Sequence, residues 1–199
     1  MSGLHYTNTS IDDFENLNHL YQKHLNGGEY IRRWLKDGLS MPEYFGVKCM
    51  DGDKIVGAIT IRPGVSFTYG HSELVDEILL QYTGKEISTV DMVAVAPDYR
   101  GNGVARFLCC GLHEELVRRD VKLLVLEAWY DLSACCSPPP IVGIFEKYIG
   151  DLEIYGDYPN FYENLHQFGI SCSECGDKPC GCGAKIYIIT VQQKRKEHI

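Results

Sequence analysis

The sequence predicts a mixed α/β (α+β) fold with helices on both faces of one sheet, and three observations carry that expectation. Apolar residues at helical spacing alternate along the chain with short apolar runs of strand character. Asp51-Gly52 separates two such runs, YFGVKCM and KIVGAITIRPG, and an Asp-Gly pair accepts the positive φ of a tight hairpin. Leu123 to Leu126 is an unbroken apolar run, as expected of a strand covered on both faces.

A short strand opens the chain around Leu4 to Tyr6. Ser10, with Asp13 three residues on, caps a first helix whose apolar side is Ile11, Phe14, Leu17, Tyr21 and Leu25, and Gly27-Gly28 stops it. A second helix carries Tyr30, Ile31, Trp34 and Leu35 as far as Gly38. After the hairpin, Leu74, Val75, Ile78, Leu79 and Tyr82 predict a helix ending near Gly84. Ile87 to Val95 reads as a buried strand stopped by Pro97, which has no N–H to give a ladder. From Val104 the helical period returns at Phe107, Leu108, Leu112 and Leu116. The strand at Leu123 follows. Asp131 to Asn160 then forms a long excursion with a short helix from Ile141 to Ile149, and Lys185 to Val191 is the last strand.

With 199 residues and 45% hydrophobic content, the chain suits a single domain over residues 1–199. A formal net charge of −8 argues against a nucleic-acid partner or an anionic membrane surface, both of which require clustered positive charge. The opening MSGLHYTNTSIDDFE lacks the basic start and apolar stretch of a secretory signal, and no later segment is long and apolar enough to span a bilayer. A cytoplasmic protein is expected. Nine cysteines, an odd number that includes the adjacent pairs Cys109-Cys110 and Cys135-Cys136, point to thiols or metal ligands rather than a disulfide framework.

The most informative stretch is VAVAPDYRGNGVARFL, Val93 to Leu108. Gly101, Asn102 and Gly103 fall between a strand end and a helix start, where several N–H groups have no intrahelical partner. Those donors and the positive end of the helix dipole make an anion site. Glycine lets the backbone turn at positive φ and approach a phosphate closely. Arg100 adds a charge at the rim. A dinucleotide fingerprint would need a third glycine or alanine where Arg106 stands, and no Lys-Ser/Thr follows to make a P-loop.

Arg100-x-x-Gly103-x-Ala105, preceded by Val93-Ala94-Val95-x-Pro97, resembles the acyl-CoA loop of the GNAT acetyltransferase superfamily. The order of elements is similar to that family's, and Asn160-Phe161-Tyr162-Glu163-Asn164-Leu165 resembles its Phe-Tyr helix, although His166-Gln167-Phe168 replaces the expected Gly-Phe. The resemblance implies a mostly antiparallel sheet splayed where Met92 to Val95 part from Leu124 to Ala128. Pantetheine would lie in the gap, pairing with the main chain of Val93 and Val95. The amides of Arg100, Gly101, Asn102, Gly103, Val104 and Ala105 would hold the pyrophosphate of acetyl-CoA.

Transfer to a primary amine needs a base for the amine and an acid for the departing thiolate. Tyr162 stands where the family places the acid, with Tyr148 as its rival. Asp91, four residues before Val95 and expected on the same face, is the base candidate, with Glu127 on the adjacent strand in reserve. The acceptor is a small-molecule amine or an amine of a peptide or protein, and a homodimer is left open. His71, His113 and His166 are scattered, and Cys109 and Cys110 read as small core residues of a helix.

Cys172, Cys175, Cys180 and Cys182 supply four thiols with Gly176, Pro179, Gly181 and Gly183 between and beside them. Four thiolates are a complete tetrahedral set for structural Zn²⁺, though Cys180-x-Cys182 is tighter than the usual half-site. A Cys-rich knuckle just before the last strand is therefore expected, with free thiols and a disulfide or redox role as the other readings of the four cysteines. Two other functions stay open beside the N-acetyltransferase: a silent CoA-binding or sensor domain, and an interaction protein acting through the knuckle.

Overall fold

A seven-stranded sheet organises the chain in a computed structural model that describes all residues except 1–2, 26–27, 68, 132–138, 171, 173–174, 177–178 and 194–199. Its strands are β1 (Leu4–Asn8), β2 (Phe45–Asp51), β3 (Lys54–Pro63), β4 (Ile87–Val95), β5 (Leu123–Tyr130), β6 (Gly150–Tyr158) and β7 (Gly183–Val191). They lie in the order β1-β2-β3-β4-β5-β7-β6. Every neighbouring pair is antiparallel except β4 and β5. Five α-helices complete the described residues: α1 (Phe14–Leu25), α2 (Gly28–Leu39), α3 (Ser72–Gln81), α4 (Val104–Arg118) and α5 (Pro140–Tyr148).

Local chemistry explains most of these boundaries. Ser10 and Asp13 close the start of α1 as expected, the Ser10 amide donating to the Asp13 carboxylate at 2.8 Å, with a 3-10 turn at Ile11–Asp13 before the α-helix proper. Gly52 turns the β2–β3 hairpin at φ +57°. α4 seats on β3 at Gly57, where an added Cβ would stand 3.0 Å from Val104 and 3.1 Å from Leu108. The expected stop at Gly27 and the pair Cys135-Cys136 lie outside the described residues.

Helices cover both faces of the sheet. Leu108, Leu112 and Leu116 of α4 and Phe145 of α5 pack on Val47, Ile59, Val90, Leu124 and Leu126. On the other side, Leu17, Tyr21, Ile31 and Leu35 of α1 and α2 cover Ala58, Met92 and Ala94, while Leu74 and Ile78 of α3 cover Leu123, Val125, Ile186 and Ile188 together with the segment that follows β6. Cys109 is buried in α4 and Cys110 half-buried, as small core residues.

Two expectations are corrected. The excursion after Asp131 is more ordered than its sequence suggests, because β6 pairs with β7 from Gly150 to Tyr158. Its Asp and Glu residues and its glycines hid a strand that lies at the sheet edge with Ile154 exposed, where one strand neighbour and little burial suffice. The Phe-Tyr segment is not an α-helix. Residues 159–164 are turns, and a 3-10 helix, Leu165–Phe168, follows before Gly169 at φ +70°.

Candidate active site

β4 and β5 are paired only from Ile87↔Leu123 to Thr89↔Val125, yet β4 runs on to Val95 and β5 to Tyr130. The strands therefore diverge beyond Thr89 and Val125, leaving their facing backbone edges unpaired with each other. A cleft of about 400 Å³ opens in the gap, lined by Val90 to Val93, Leu126 to Trp129, His24, Ile31, Tyr69 and Tyr162 among others. Its size suits a small ligand or cosubstrate.

Where β4 leaves this cleft, a 3-10 turn at Pro97–Tyr99 leads into Gly101 at φ +73° and Gly103 at φ +80°, and α4 begins at Val104. The amides of Gly101 to Arg106 find no backbone acceptor among the described residues. An added Cβ at Gly101 or Gly103 would meet nothing within 4 Å, so the loop is open to a ligand. Arg100 folds back across the loop, its Nε donating to the Val95 carbonyl at 3.0 Å, which occupies one of the main-chain groups expected to pair with pantetheine. Asn102 donates to the Asp98 carbonyl at 3.5 Å.

On the far side of the cleft, the Tyr162 hydroxyl donates a hydrogen bond to Glu127 Oε1. Tyr162 is 4% exposed and packs edge-on against Tyr69 and Phe161, at centroid distances of 5.9 and 5.1 Å. Burial, and then the neighbouring Glu127 carboxylate, hold its hydroxyl well above the ordinary phenol value. Burial likewise raises the Glu127 carboxyl to about 7, against the lowering effect of the Tyr162 hydrogen bond and with a further push from the charge of Asp91. A carboxyl poised near neutrality beside a protonated phenol can take a proton from one group and hand one to another.

Asp91 is placed differently from its expectation. β4 holds one extra residue opposite the step between Thr60 and Ile61, since Thr60 pairs with Met92 and Ile61 with Val90. This bulge breaks the alternation of faces. Val93 and Val95 pack with the α4 layer, whereas Asp91 joins the α1–α2 side. There it accepts hydrogen bonds from Trp34 Nε1 at 2.7 Å, Tyr44 Oη at 2.6 Å and Arg62 Nε at 2.9 Å. Its side chain is only 2% exposed, although the residue borders the cleft. The Arg62 guanidinium is itself held over the Trp34 ring at 4.1 Å and donates to the Trp34 carbonyl at 2.9 Å. Sequence reasoning missed Arg62, and the signal was a lone arginine inside the apolar run of β3.

Tyr148 is not brought to the cleft. It lies in the α4–α5 layer, on the opposite face of the sheet from Glu127, with the Arg106 guanidinium 5.6 Å from its ring centre. His113 is buried with Nε2 2.7 Å from the Gln192 carbonyl oxygen. His71 stacks on Phe161 at 3.7 Å.

The four predicted cysteines converge. The sulfurs of Cys172, Cys175, Cys180 and Cys182 all lie within 4.8 Å of one another, and Cys182 Sγ is 3.7 Å from those of both Cys172 and Cys175. Zinc–sulfur bonds of about 2.3 Å in a tetrahedron put sulfurs about 3.8 Å apart, so the donor set and its spacing fit that ion. Cys180 and Cys182 are buried in the same cluster as Phe161 and Tyr162.

No helix among the described residues is long and apolar enough to cross a membrane. Similar folds are found among solved structures. The ribosomal-protein-S18-alanine N-acetyltransferase of Escherichia coli aligns with a TM-score of 0.63 at 16% identity, over 98% of this chain and 99% of that one. NAA60 of Arabidopsis thaliana in complex with acetyl-CoA gives 0.64 at 11% identity, over 94% and 98%. The NatC complex bound to Gag peptide and CoA gives 0.55 at 13% identity, over 96% and 99%. At these identities each is a likeness of fold. No curated protein gives a significant sequence match. The profile described as "Acetyltransferase (GNAT) family" matches residues 10–135, more than half of the chain, and includes the splayed strands, the glycine turn and Glu127. A chain matched over that length, with the strands parting above an open amide loop, belongs to the GNAT family of acetyltransferases.

Proposed function

We propose that the protein transfers the acetyl group of acetyl-CoA directly to a primary amine, and the observation that carries this is the Tyr162–Glu127 pair facing the gap between β4 and β5. Acetyl-CoA lies with its pyrophosphate on the amides of Gly101 to Arg106, with Arg100 swinging to it from the Val95 carbonyl. Its pantetheine runs along Val93 and Val95, and its thioester reaches the level of Glu127. The acceptor amine enters from the side of His24, Ile31 and Tyr69.

Glu127 takes a proton from the ammonium, directly or through water, and the free amine attacks the thioester carbonyl. As the carbon–sulfur bond breaks, Tyr162 gives its proton to the thiolate, the proton held on Glu127 restores the phenol through the existing hydrogen bond, and the second proton of the acylated nitrogen passes to water, leaving the neutral amide. Asp91 serves as a positioning residue, clamping Arg62, Trp34 and Tyr44 beneath the bulge. The acceptor is a free amine or one carried by a peptide or protein. The fold neighbours named for alanine acetylation and for binding a Gag peptide support the latter.

Cys172, Cys175, Cys180 and Cys182 would hold a structural zinc ion. With four sulfur ligands such a site is closed, so it supplies cross-linking and no open position for chemistry. A reducing compartment, the cytoplasm, suits thiolate ligands. Residues 1–199 form one domain on this view, since both ends of the chain contribute strands to the same sheet.

The test is thiol release from acetyl-CoA across a panel of small amines and amine-terminated peptides, with wild type and Tyr162→Phe. Acetylation by wild type that collapses in the variant is expected. Acetyl-CoA binding without turnover of any amine would instead make the protein a silent CoA-binding domain.

A further inference from the structure

The four cysteines and the acid of the proposed reaction share one support. Residues 159–182 join β6 to β7, and among the described residues this stretch contains turns and a 3-10 helix but no α-helix and no named strand. Long connections of this kind are uncommon inside a folded domain. Tyr162 sits near its start, and the cysteines lie in its second half.

Three contacts join the two parts. The Tyr162 amide donates to the Cys182 carbonyl at 3.4 Å. Cys180 and Cys182, 3% and 1% exposed, pack in the same cluster as Phe161, Tyr162, Leu165 and Ile170. Cys172 reaches round to line the cleft beside Tyr162. Cys182 also directly precedes β7, whose Ile186 pairs with Glu127. Both partners of the catalytic hydrogen bond are thus referenced to β7, Glu127 through the β5 ladder and Tyr162 through Cys182.

The two references differ in strength. The ladder between β5 and β7 runs unbroken from Leu123 to Tyr130. The connection at Cys182 depends on a stretch of turns outside any strand ladder, whose ordering costs roughly 1–2 kcal/mol per residue. Four thiols in mutual contact repay little of that, whereas a structural zinc contributes its binding free energy to the fold of the segment that ligates it.

Resting on the acetyl transfer proposed above, we propose that zinc held by Cys172, Cys175, Cys180 and Cys182 fixes the position of Tyr162 against Glu127, so that the metal content of the protein sets turnover without the metal touching substrate. A displacement of about 1 Å at a catalytic group can cost about 100-fold in rate. The loop that grips acetyl-CoA lies on α4 and β4, apart from this segment, so loss of zinc lowers kcat and leaves acetyl-CoA binding in place.

The experiment uses the full chain purified under reducing conditions. Zinc is measured by atomic emission before and after treatment with a chelator. Acetyl-CoA affinity is followed by calorimetry, hydrogen exchange over residues 159–182 by mass spectrometry, and kcat and KM by thiol release. We expect about one zinc per chain, with kcat falling about 100-fold on removal and returning when zinc is added back. Acetyl-CoA affinity should stay within about twofold, and exchange should rise in residues 159–182 while β4 and α4 stay protected.

Cys175→Ala should reproduce the stripped state. Cys175→His, which keeps a zinc-binding side chain, should recover part of the lost turnover together with the metal. An unchanged kcat after zinc is gone overturns the proposal, and so does loss of acetyl-CoA binding in parallel with kcat, which would mean global unfolding. A protein that holds no zinc and takes none up overturns it too. In each of these cases the Tyr162→Phe result still decides separately whether acetyl transfer occurs.

Discussion

Tyr162 donates its hydroxyl hydrogen to Glu127 across a separation of 35 residues, and both side chains face the gap where β4 and β5 part. The pair is a phenol and a carboxyl whose common burial pushes both toward their protonated forms.

Tyr162→Phe keeps the aromatic packing on Tyr69 and Phe161 and deletes only the hydroxyl. The loss is confined to proton delivery, so kcat should fall by about 100-fold or more with KM for acetyl-CoA little changed. Stability should fall by about 1–3 kcal/mol, because the Glu127 carboxyl loses its donor. Steady-state kinetics beside thermal unfolding of the variant checks both statements.

Glu127 must be ionised to accept a proton, and its carboxyl is raised to about 7. kcat/KM should therefore rise as pH passes upward through about 7 and level off above it. The charge of Asp91 adds to the upward shift, while the Tyr30, Tyr69 and Tyr162 hydroxyls, all raised by burial, stay neutral throughout that range. Glu127→Gln should remove the limb near 7 along with most of the activity. The same shift has a stability cost of opposite sign to the usual carboxylate. The folded state holds a proton that the unfolded chain releases near 4.5, so stability falls as pH rises from there to about 7 and the cost is complete above 7. Glu127→Gln should then unfold later than wild type at pH 8, by about 1–3 kcal/mol, and with little difference at pH 4. Urea unfolding at the two pH values is the measurement.

Asp91→Asn separates the two carboxylates. It strips the negative partner from Arg62, whose side chain is 5% exposed, and leaves a buried guanidinium unpaired. A destabilisation of about 3–5 kcal/mol is expected. The limb of the pH profile near 7 should persist in the fraction that stays folded, because it belongs to Glu127. A profile that loses this limb in Asp91→Asn and keeps it in Glu127→Gln would return the base role to Asp91.

Gly103→Val tests the anion loop. The position has φ +80° with open space around it, so a side chain fits but the backbone is strained, at about 1–2 kcal/mol. The larger effect should be on the ligand, because an isopropyl group would stand where the pyrophosphate must approach the amides of Gly101 to Arg106. Calorimetry with CoA should show binding weakened about tenfold or more, with kcat at saturating acetyl-CoA far less affected.

Much of this protein is written locally. The glycine turn at 101–103, the start of α4, the hairpin at Gly52 and the cysteine set are each specified by a few adjacent residues whose conformational preferences or donor atoms do not depend on the rest of the chain. The period of apolar residues placed β4, α4 and β5 for the same reason, and a strand-to-helix turn with open glycines pointed to a bound diphosphate before any packing was known. β6 escaped because an edge strand needs only one neighbour, so Asp151, Glu153 and Asp157 carry no apolar signal.

The tertiary structure alone decided how the two carboxylates beside the cleft are held. One extra residue in β4 turns Asp91 toward Arg62, Trp34 and Tyr44, and no alternation rule anticipates a bulge set by pairing with a different strand. The same packing put Tyr162 and Tyr148 on opposite faces of the sheet and brought Tyr162 to Glu127. Burial, which no single stretch of sequence sets, then raised a carboxyl that is ordinarily ionised to about 7.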